Sequence, residues 1–362
     1  MINDQGEFFK GLKVVEFASV LAGPAVGMFF AELGADVIKI ENKYTGGDVT
    51  RGWKQSSEDP NSPISAYWCS VNWGKEYLML DLNDLADQAL AKQIVLTADV
   101  VISNFKPSSA CRMGFDADTL RAENQRLIYA HLNSYADPED ESPAFDAVLQ
   151  AEAGFMYMNG EPDRPPVKMP VALIDILAAH QLKEAILLAL LHRERTGEGS
   201  TVTTSLLESA LSSLANQASN FLMTGHIPQR MGTRHPNIAP YGDTFLCADQ
   251  QIILLAVGTE RQFSQLCKAL GLEYLLQDFD YQTNAARVNN RAKLNELLQS
   301  TISLMTLNDA MTKLRSAGVP VARIRDMKSV FEMPAARDMV LEEKTPNGEL
   351  TKRMKTIAFK IG

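Results

Sequence analysis

Cysteine is scarce in this chain: four in 362 residues, Cys69, Cys111, Cys247 and Cys267, with no C-x-x-C spacing. Neither a disulfide framework nor a zinc site is expected from such a pattern, and reduced thiols in the cytoplasm fit it. A basic block is also missing. The 35 Lys and Arg stand against 44 Asp and Glu, a net charge of −9, so neither nucleic acid nor an anionic membrane is an expected partner. The apolar stretch from Ala185 to Leu191 is far too short to span a bilayer. Met1 to Glu7 has neither the basic nor the apolar region of a signal peptide. The expectation is a soluble cytoplasmic protein, long enough for two domains.

Several catalytic signatures are absent as well. There is no GxxxxGK[ST] loop, no HExxH and no GxSxG. A nicotinamide fingerprint needs three glycines, for a tight turn, pyrophosphate approach and helix packing. The first turn, Ser19-Val-Leu-Ala-Gly-Pro24, offers one. Of the five histidines, His131 lies in a strand pattern, His192 at a helix end, and His180 five residues after Asp175, poorly placed to pair with it on one helix face; none is marked as a general base.

What is present is an alternation of strands and helices. Leu12 to Phe17 reads as a buried strand, followed by a helix through Met28 to Leu33, with Pro24 at its first position and Gly34 as its C-cap. Asp36 to Glu41 is the next strand, making a βαβ unit. A helix from Leu85 to Leu96, strands Asp99–Ser103, Arg126–Leu132 and Thr201–Ser205, and a helix from Asp175 to about Arg195 continue the alternation. This predicts a parallel sheet covered by helices. Asn159 to Pro166 and Gly232 to Gly242 are rich in turn formers. The expected division is a large α/β domain over 1–224, a small α+β domain with its linker over 225–318, and a return segment over 319–362.

Asp175 ends the run Met169-Pro-Val-Ala-Leu-Ile174, directly before a long apolar helix pattern. A lone carboxylate between two segments that favour burial costs free energy or shifts its pKa upward. Two readings are open. It caps the helix, accepting hydrogen bonds from the first free N–H groups, or it is a nucleophile activated by partial desolvation.

Gly11-Leu-Lys-Val-Val-Glu-Phe-Ala-Ser-Val-Leu-Ala-Gly-Pro24 and Leu33-Gly-Ala-Asp-Val-Ile-Lys-Ile-Glu41 resemble the opening of class III CoA-transferases. Asn104-Phe-Lys-Pro107, Arg112-Met-Gly-Phe115, Phe145-Asp-Ala-Val-Leu-Gln150, Gly160 to Pro166, Arg193 to Gly197 and Ala317 to Pro320 continue the match in order. The superfamily includes formyl-CoA transferase, carnitine CoA-transferase and α-methylacyl-CoA racemase. The resemblance implies a Rossmann-like large domain with a smaller α+β domain, in an interlocked, ring-like homodimer. It makes Asp175 the acyl-accepting carboxylate, forming an aspartyl-CoA intermediate as CoA passes from an acyl-CoA to a small carboxylic acid. CoA is then a substrate; no tightly bound cofactor and no metal is implied. By the same analogy Ser19, Val20 and Ala22 approach CoA, Lys75, Asn104, Phe105, Arg112 and Met113 hold its adenine, ribose and phosphates, and Tyr135 lies near the active site.

The departures from the family pattern carry information too. The racemase branch has His where this chain has Phe145, which cannot move a proton; racemisation of a 2-methylacyl-CoA is therefore the alternative activity, and a non-catalytic acyl-CoA-binding protein the alternative of another class. Formyl-CoA transferases have Gln at the position of Leu21 and a glycine run where this chain has His235-Pro-Asn-Ile-Ala-Pro-Tyr241, which argues against oxalate specificity. The sequence stops at Gly362, before a helical segment that many relatives have, as expected for a truncated chain or for different final contacts.

Overall fold

Short runs of β-branched residues build the larger unit. Val100-Val-Ile-Ser103 is buried along its whole length, as parallel strands covered on both faces are. In the computed structural model, which describes residues 7–137, 140–344, 348 and 350–361, six such strands form one parallel sheet. They are β1 (Lys13–Glu16), β2 (Asp36–Asn42), β3 (Glu76–Leu80), β4 (Val100–Ser103), β5 (Ile128–Asn133) and β6 (Thr201–Ser205). Their spatial order is β3-β2-β1-β4-β5-β6, the doubly wound order of dinucleotide-binding folds. Most of the Met1 to Glu7 segment, weighed above against a signal peptide, and Gly362 lie outside the described residues.

The Ala22–Glu32 helix is apolar all round and correspondingly buried from Ala22 to Ala31. Met28 and Phe30 are fully enclosed, each contributing about 1.5–3 kcal/mol of burial. The helix begins at Ala22, two residues before the expected start; Pro24 still falls in the first turn, where a missing N–H costs nothing. The Leu173–Thr196 helix buries a stripe of Ile174, Ala178, Leu182, Ile186, Ala189 and Arg193 at helical spacing and ends at Gly197, whose φ of 81° suits glycine. Arg193 closes that end by pairing with Asp99 at 2.9 Å.

The small unit has a different plan. Strands β7 (Tyr241–Leu246), β8 (Ile252–Ala256) and β9 (Val321–Arg323) form an antiparallel sheet in that order. The Glu260–Leu270 helix, opened by a capping box between Thr259 and Gln262, supplies Phe263, Leu266 and Leu270 to a core shared with Ile253, Leu255 and Leu294. The last two strands of the chain, β10 (Val340–Lys344) and β11 (Leu350–Met354), form a hairpin within the large unit.

Two expected boundaries move. The large unit comprises 1–155, 168–226 and 338–362, and the small one 156–167 and 227–337. The loop around Gly160 joins the small unit because Gly160 accepts the Gly232 N–H at 2.8 Å and Tyr157 accepts a bond from Arg230 at 3.0 Å. The return does not begin at 319: Val321–Arg323 pairs with β8 first. Among the described residues, no helix is long and apolar enough to cross a membrane.

Candidate active site

In a doubly wound sheet, ligands bind beyond the carboxyl ends of the strands where the order reverses. Here that place lies between β1 and β4. The loops leaving them are tied together by a reciprocal pair: Ser19 N–H donates to Asn104 Oδ1, and Asn104 Nδ2 donates to the Ser19 carbonyl, both at 3.3 Å. Two adjoining cavities open here. One, of about 370 Å³, is lined by Ser19 to Ala22, Asn104, Phe105, Phe145 and Asp175 among others. The second, of about 490 Å³, is bounded by Phe17, Ser19, Phe105, Arg112, Met113 and Asn42, among others.

Asp175 is the third residue of its helix, so it is not the N-cap. That position is Ala172, and the role of a cap is taken from outside. Asp146 Oδ1 accepts the Ile174 N–H at 2.7 Å, while its Oδ2 accepts a bond from Gln150 at 2.6 Å. Asp175 is left 7% exposed, and among the described residues no donor reaches its carboxylate. Burial, and then the neighbouring charge of Asp146, push its pKa up to about 7. The Tyr67 hydroxyl, raised to about 12 by burial and by Asp175, Asp146 and Asp48, lies in the same field. Its ring meets Trp53 edge-on at 5.1 Å, and Trp53 lies 6.4 Å from Phe145.

Val20 has a φ of 75°, a left-handed conformation that costs a β-branched residue roughly 1–3 kcal/mol. A buried charge network surrounds it. Asp48 accepts the Val20 N–H at 3.1 Å and bonds both the N–H and the hydroxyl of Thr50. Lys39 pairs with Asp48 at 3.1 Å and Glu16 at 2.7 Å, and donates to the Ala18 carbonyl at 2.6 Å. Lys75 binds the other oxygen of Glu16 at 2.8 Å. Glu41 accepts the Asp48 N–H at 3.0 Å and pairs with Arg51, whose guanidinium lies 4.1 Å over the Trp68 ring. Three carboxylates thus meet three cations. Burial acts to raise Asp48 and to lower Lys39, but their mutual attraction, with Glu16 and Thr50, outweighs it in both cases.

Most of the expected site residues converge. Val20, Ala22, Asn104, Phe105 and Asp175 line the smaller cavity, and Phe105, Arg112 and Met113 the larger. Arg112 is exposed and has no ion-pair partner among the described residues. Lys75 is elsewhere: its ammonium is spent on Glu16, the Pro24 carbonyl and Asn72, leaving no donor for a phosphate. Tyr135 lines neither cavity; its hydroxyl lies 3.4 Å from Glu152. Sequence reasoning missed Asp48, Tyr67 and Trp53. A signal existed for the network, since Glu16 and Lys39 are lone charges inside apolar strands and must be paired. Among the described residues, no group of three His, Cys, Asp or Glu side chains is placed to hold a metal ion.

The family model described as CoA-transferase family III matches residues 9–361. A succinate–glutarate CoA-transferase from Agrobacterium fabrum is 36% identical over 353 residues, covering 96% of this chain and 88% of the relative. An acetyl-CoA:oxalate CoA-transferase from Acetobacter aceti is 33% identical, over 92% of this chain and 85% of the relative. Among solved structures, a CAIB/BAIF family protein from Brucella suis superposes with a TM-score of 0.83 at 37% identity, covering 98% of this chain and 93% of that one.

Proposed function

The chain belongs to CoA-transferase family III, and from that membership we propose that it moves CoA between short dicarboxylic acids through covalent chemistry on Asp175. One observation carries the choice of nucleophile. Asp175 is a buried carboxylate on a cavity wall, and among the described residues no donor occupies it. Desolvation makes a carboxylate more basic and more nucleophilic.

The steps balance as four displacements. The Asp175 carboxylate attacks the acyl-CoA carbonyl, giving a mixed anhydride and CoA thiolate. The thiolate attacks the aspartyl carbonyl, releasing the donor acid and leaving an aspartyl-CoA thioester. The acceptor carboxylate attacks that thioester, giving a second anhydride and freeing the thiolate again. The thiolate finally attacks the acceptor's acyl carbon, and Asp175 is regenerated. Each tetrahedral oxyanion needs preorganised donors, one of which is typically worth ~2.7–4 kcal/mol.

CoA is assigned to the paired cavities, with its nucleotide end toward Arg112 and Met113 and its thioester toward Val20, Ala22 and Asp175. Asn104 and Phe105 stand between them. Lys75 has no part in binding. Support for dicarboxylic substrates comes from the succinate, glutarate and oxalate in the relatives' names; Leu21 favours the longer ones. The enzyme is proposed to be cytoplasmic and to work as an interlocked homodimer. Leu187, Leu188 and Leu191 on one helix and Phe221, Leu222 and Met223 on another are exposed, apolar side chains that a second chain would cover.

The test is a matrix of acyl-CoA donors and acids read by mass spectrometry. Succinyl-CoA with glutarate should give glutaryl-CoA, and the peptide carrying Asp175 should carry CoA at steady state. Transfer without any CoA adduct on that peptide would remove the covalent mechanism. Exclusive use of monocarboxylic acids would remove the substrate class.

A further inference from the structure

The buried charges Lys39, Glu41 and Asp48 border the larger cavity, yet each is already paired within the protein, so none of the bonds they make needs a ligand. Their hydrogen bonds converge instead on one short loop. Lys39 holds the Ala18 carbonyl and Asp48 holds the Val20 N–H. Val20 sits between them in a backbone conformation it would not choose alone. The Ala22–Glu32 helix starts two residues later, with no side chain capping its first N–H groups. Leu21 and Ala22 line the cavity that holds Asp175. Free N–H groups at a helix start favour a developing negative charge.

The sequence around the network is arranged to admit it. A Cβ added at Gly27 would lie 1.9 Å from Glu16 Oε2, and one at Gly47 would lie 2.2 Å from Glu41 Oε2. Glu16 and Lys39 are also register partners on neighbouring strands, β1 and β2. The network is thus anchored in the sheet at one end and in the loop at the other.

We infer that Asp48 is a positioning residue for the transfer reaction: it locks the left-handed peptide at Val20 and so aims the start of the Ala22–Glu32 helix at the carbonyl that Asp175 attacks. This rests on the functional reading above. Asp48 borders the larger cavity, but its oxygens are already held by Lys39, Thr50 and the Val20 N–H, so it is assigned no bond to substrate or CoA. Its contribution is to oxyanion stabilisation, so its loss acts on kcat.

The experiment compares D48A and D48N in the natural and V20G backgrounds, with steady-state kinetics and thermal unfolding. In the natural background D48A should lower kcat about 100-fold, the scale set by small misplacements of reacting groups, with little change in KM for acyl-CoA. D48N keeps an oxygen facing Lys39 and the Val20 N–H, and should retain most of kcat. Glycine adopts a φ of 75° without strain, so in the V20G background the D48A loss should shrink to less than about 10-fold. Equal losses in both backgrounds, or a loss confined to KM or to stability, would overturn the inference. Amide exchange of the unaltered protein gives a reading that needs no variant. The Val20 N–H should be protected, and exchange as fast as in an exposed loop overturns the inference. A chain that transfers no CoA would sink the functional reading while leaving this exchange result to stand or fall separately.

Discussion

Asp146 accepts the N–H of Ile174 at 2.7 Å and so fixes the first turn of the helix that carries Asp175. The same carboxylate that caps the helix also adds, after burial, to the upward pKa shift of Asp175. A structural bond and an electrostatic effect on the nucleophile come from one side chain.

The pH profile should report that coupling. Asp175 must be ionised to attack, and its pKa stands near 7, so kcat should fall as pH drops through that value. D146N keeps an acceptor for Ile174 but removes the charge. Its acid limb should move to lower pH, by less than the whole displacement because burial remains. An unmoved limb in a folded D146N protein would separate the two carboxylates.

D175N should abolish transfer, by at least about 10³-fold as for other nucleophile removals, while CoA binding by calorimetry persists. The same variant should be more stable than the wild type in alkaline solution. A carboxyl with a raised native pKa binds more protons folded than unfolded between about pH 4 and 7, so wild-type stability declines across that window. At pH 8 the penalty is on the order of a few kcal/mol, and D175N escapes it. Melting temperatures of the two proteins should converge near pH 4 and separate toward pH 8.

G27A should destabilise the fold although alanine is the better helix former by ~1 kcal/mol. The new methyl has no room beside Glu16, and overpacking typically costs about 1–3 kcal/mol. Urea unfolding of the variant reads the sign; a stabilised G27A would mean that Glu16 has another place to go.

A 2-methylacyl-CoA incubated with the enzyme in deuterated water should keep its α-proton while its CoA passes to an acid. Phe145 lines the cavity with Asp175 and offers no proton acceptor, and the four displacements never break the α C–H bond. Rapid deuterium uptake without any acceptor acid would restore the racemase reading.

Light scattering at low micromolar concentration should give twice the 39.9 kDa chain mass. A stable folded monomer would remove the interlocked homodimer.

The βαβ opening, the strand Thr201–Ser205 and the long helix ending at Gly197 were legible because local patterns determine them: apolar runs, alternation and glycine stops. Asp175 stood out for the same reason, as a charge between apolar segments. What escaped depends on partners distant in sequence. Lys75 follows a glycine and reads as exposed, until β1 brings the second oxygen of Glu16 to it. Asp48 looks like a turn residue until its loop folds onto Val20. Val321–Arg323 is too short to show a strand period, and Gly318 and Pro320 beside it read as a linker.

Glu32, at the end of the first helix, accepts bonds from Arg353 and from the N–H groups of Thr356 and Ile357. These contacts span more than 320 positions, and the whole of 227–337 is translated between their two halves. During synthesis, the large unit must therefore wait with Glu32 unpaired while the small unit, whose core is local to its own segment, has all its residues in hand. The ribosome imposes an order on assembly: the six-stranded sheet, complete by Ser205, emerges before residues 227–337, and the fastening of the first helix is among the last events.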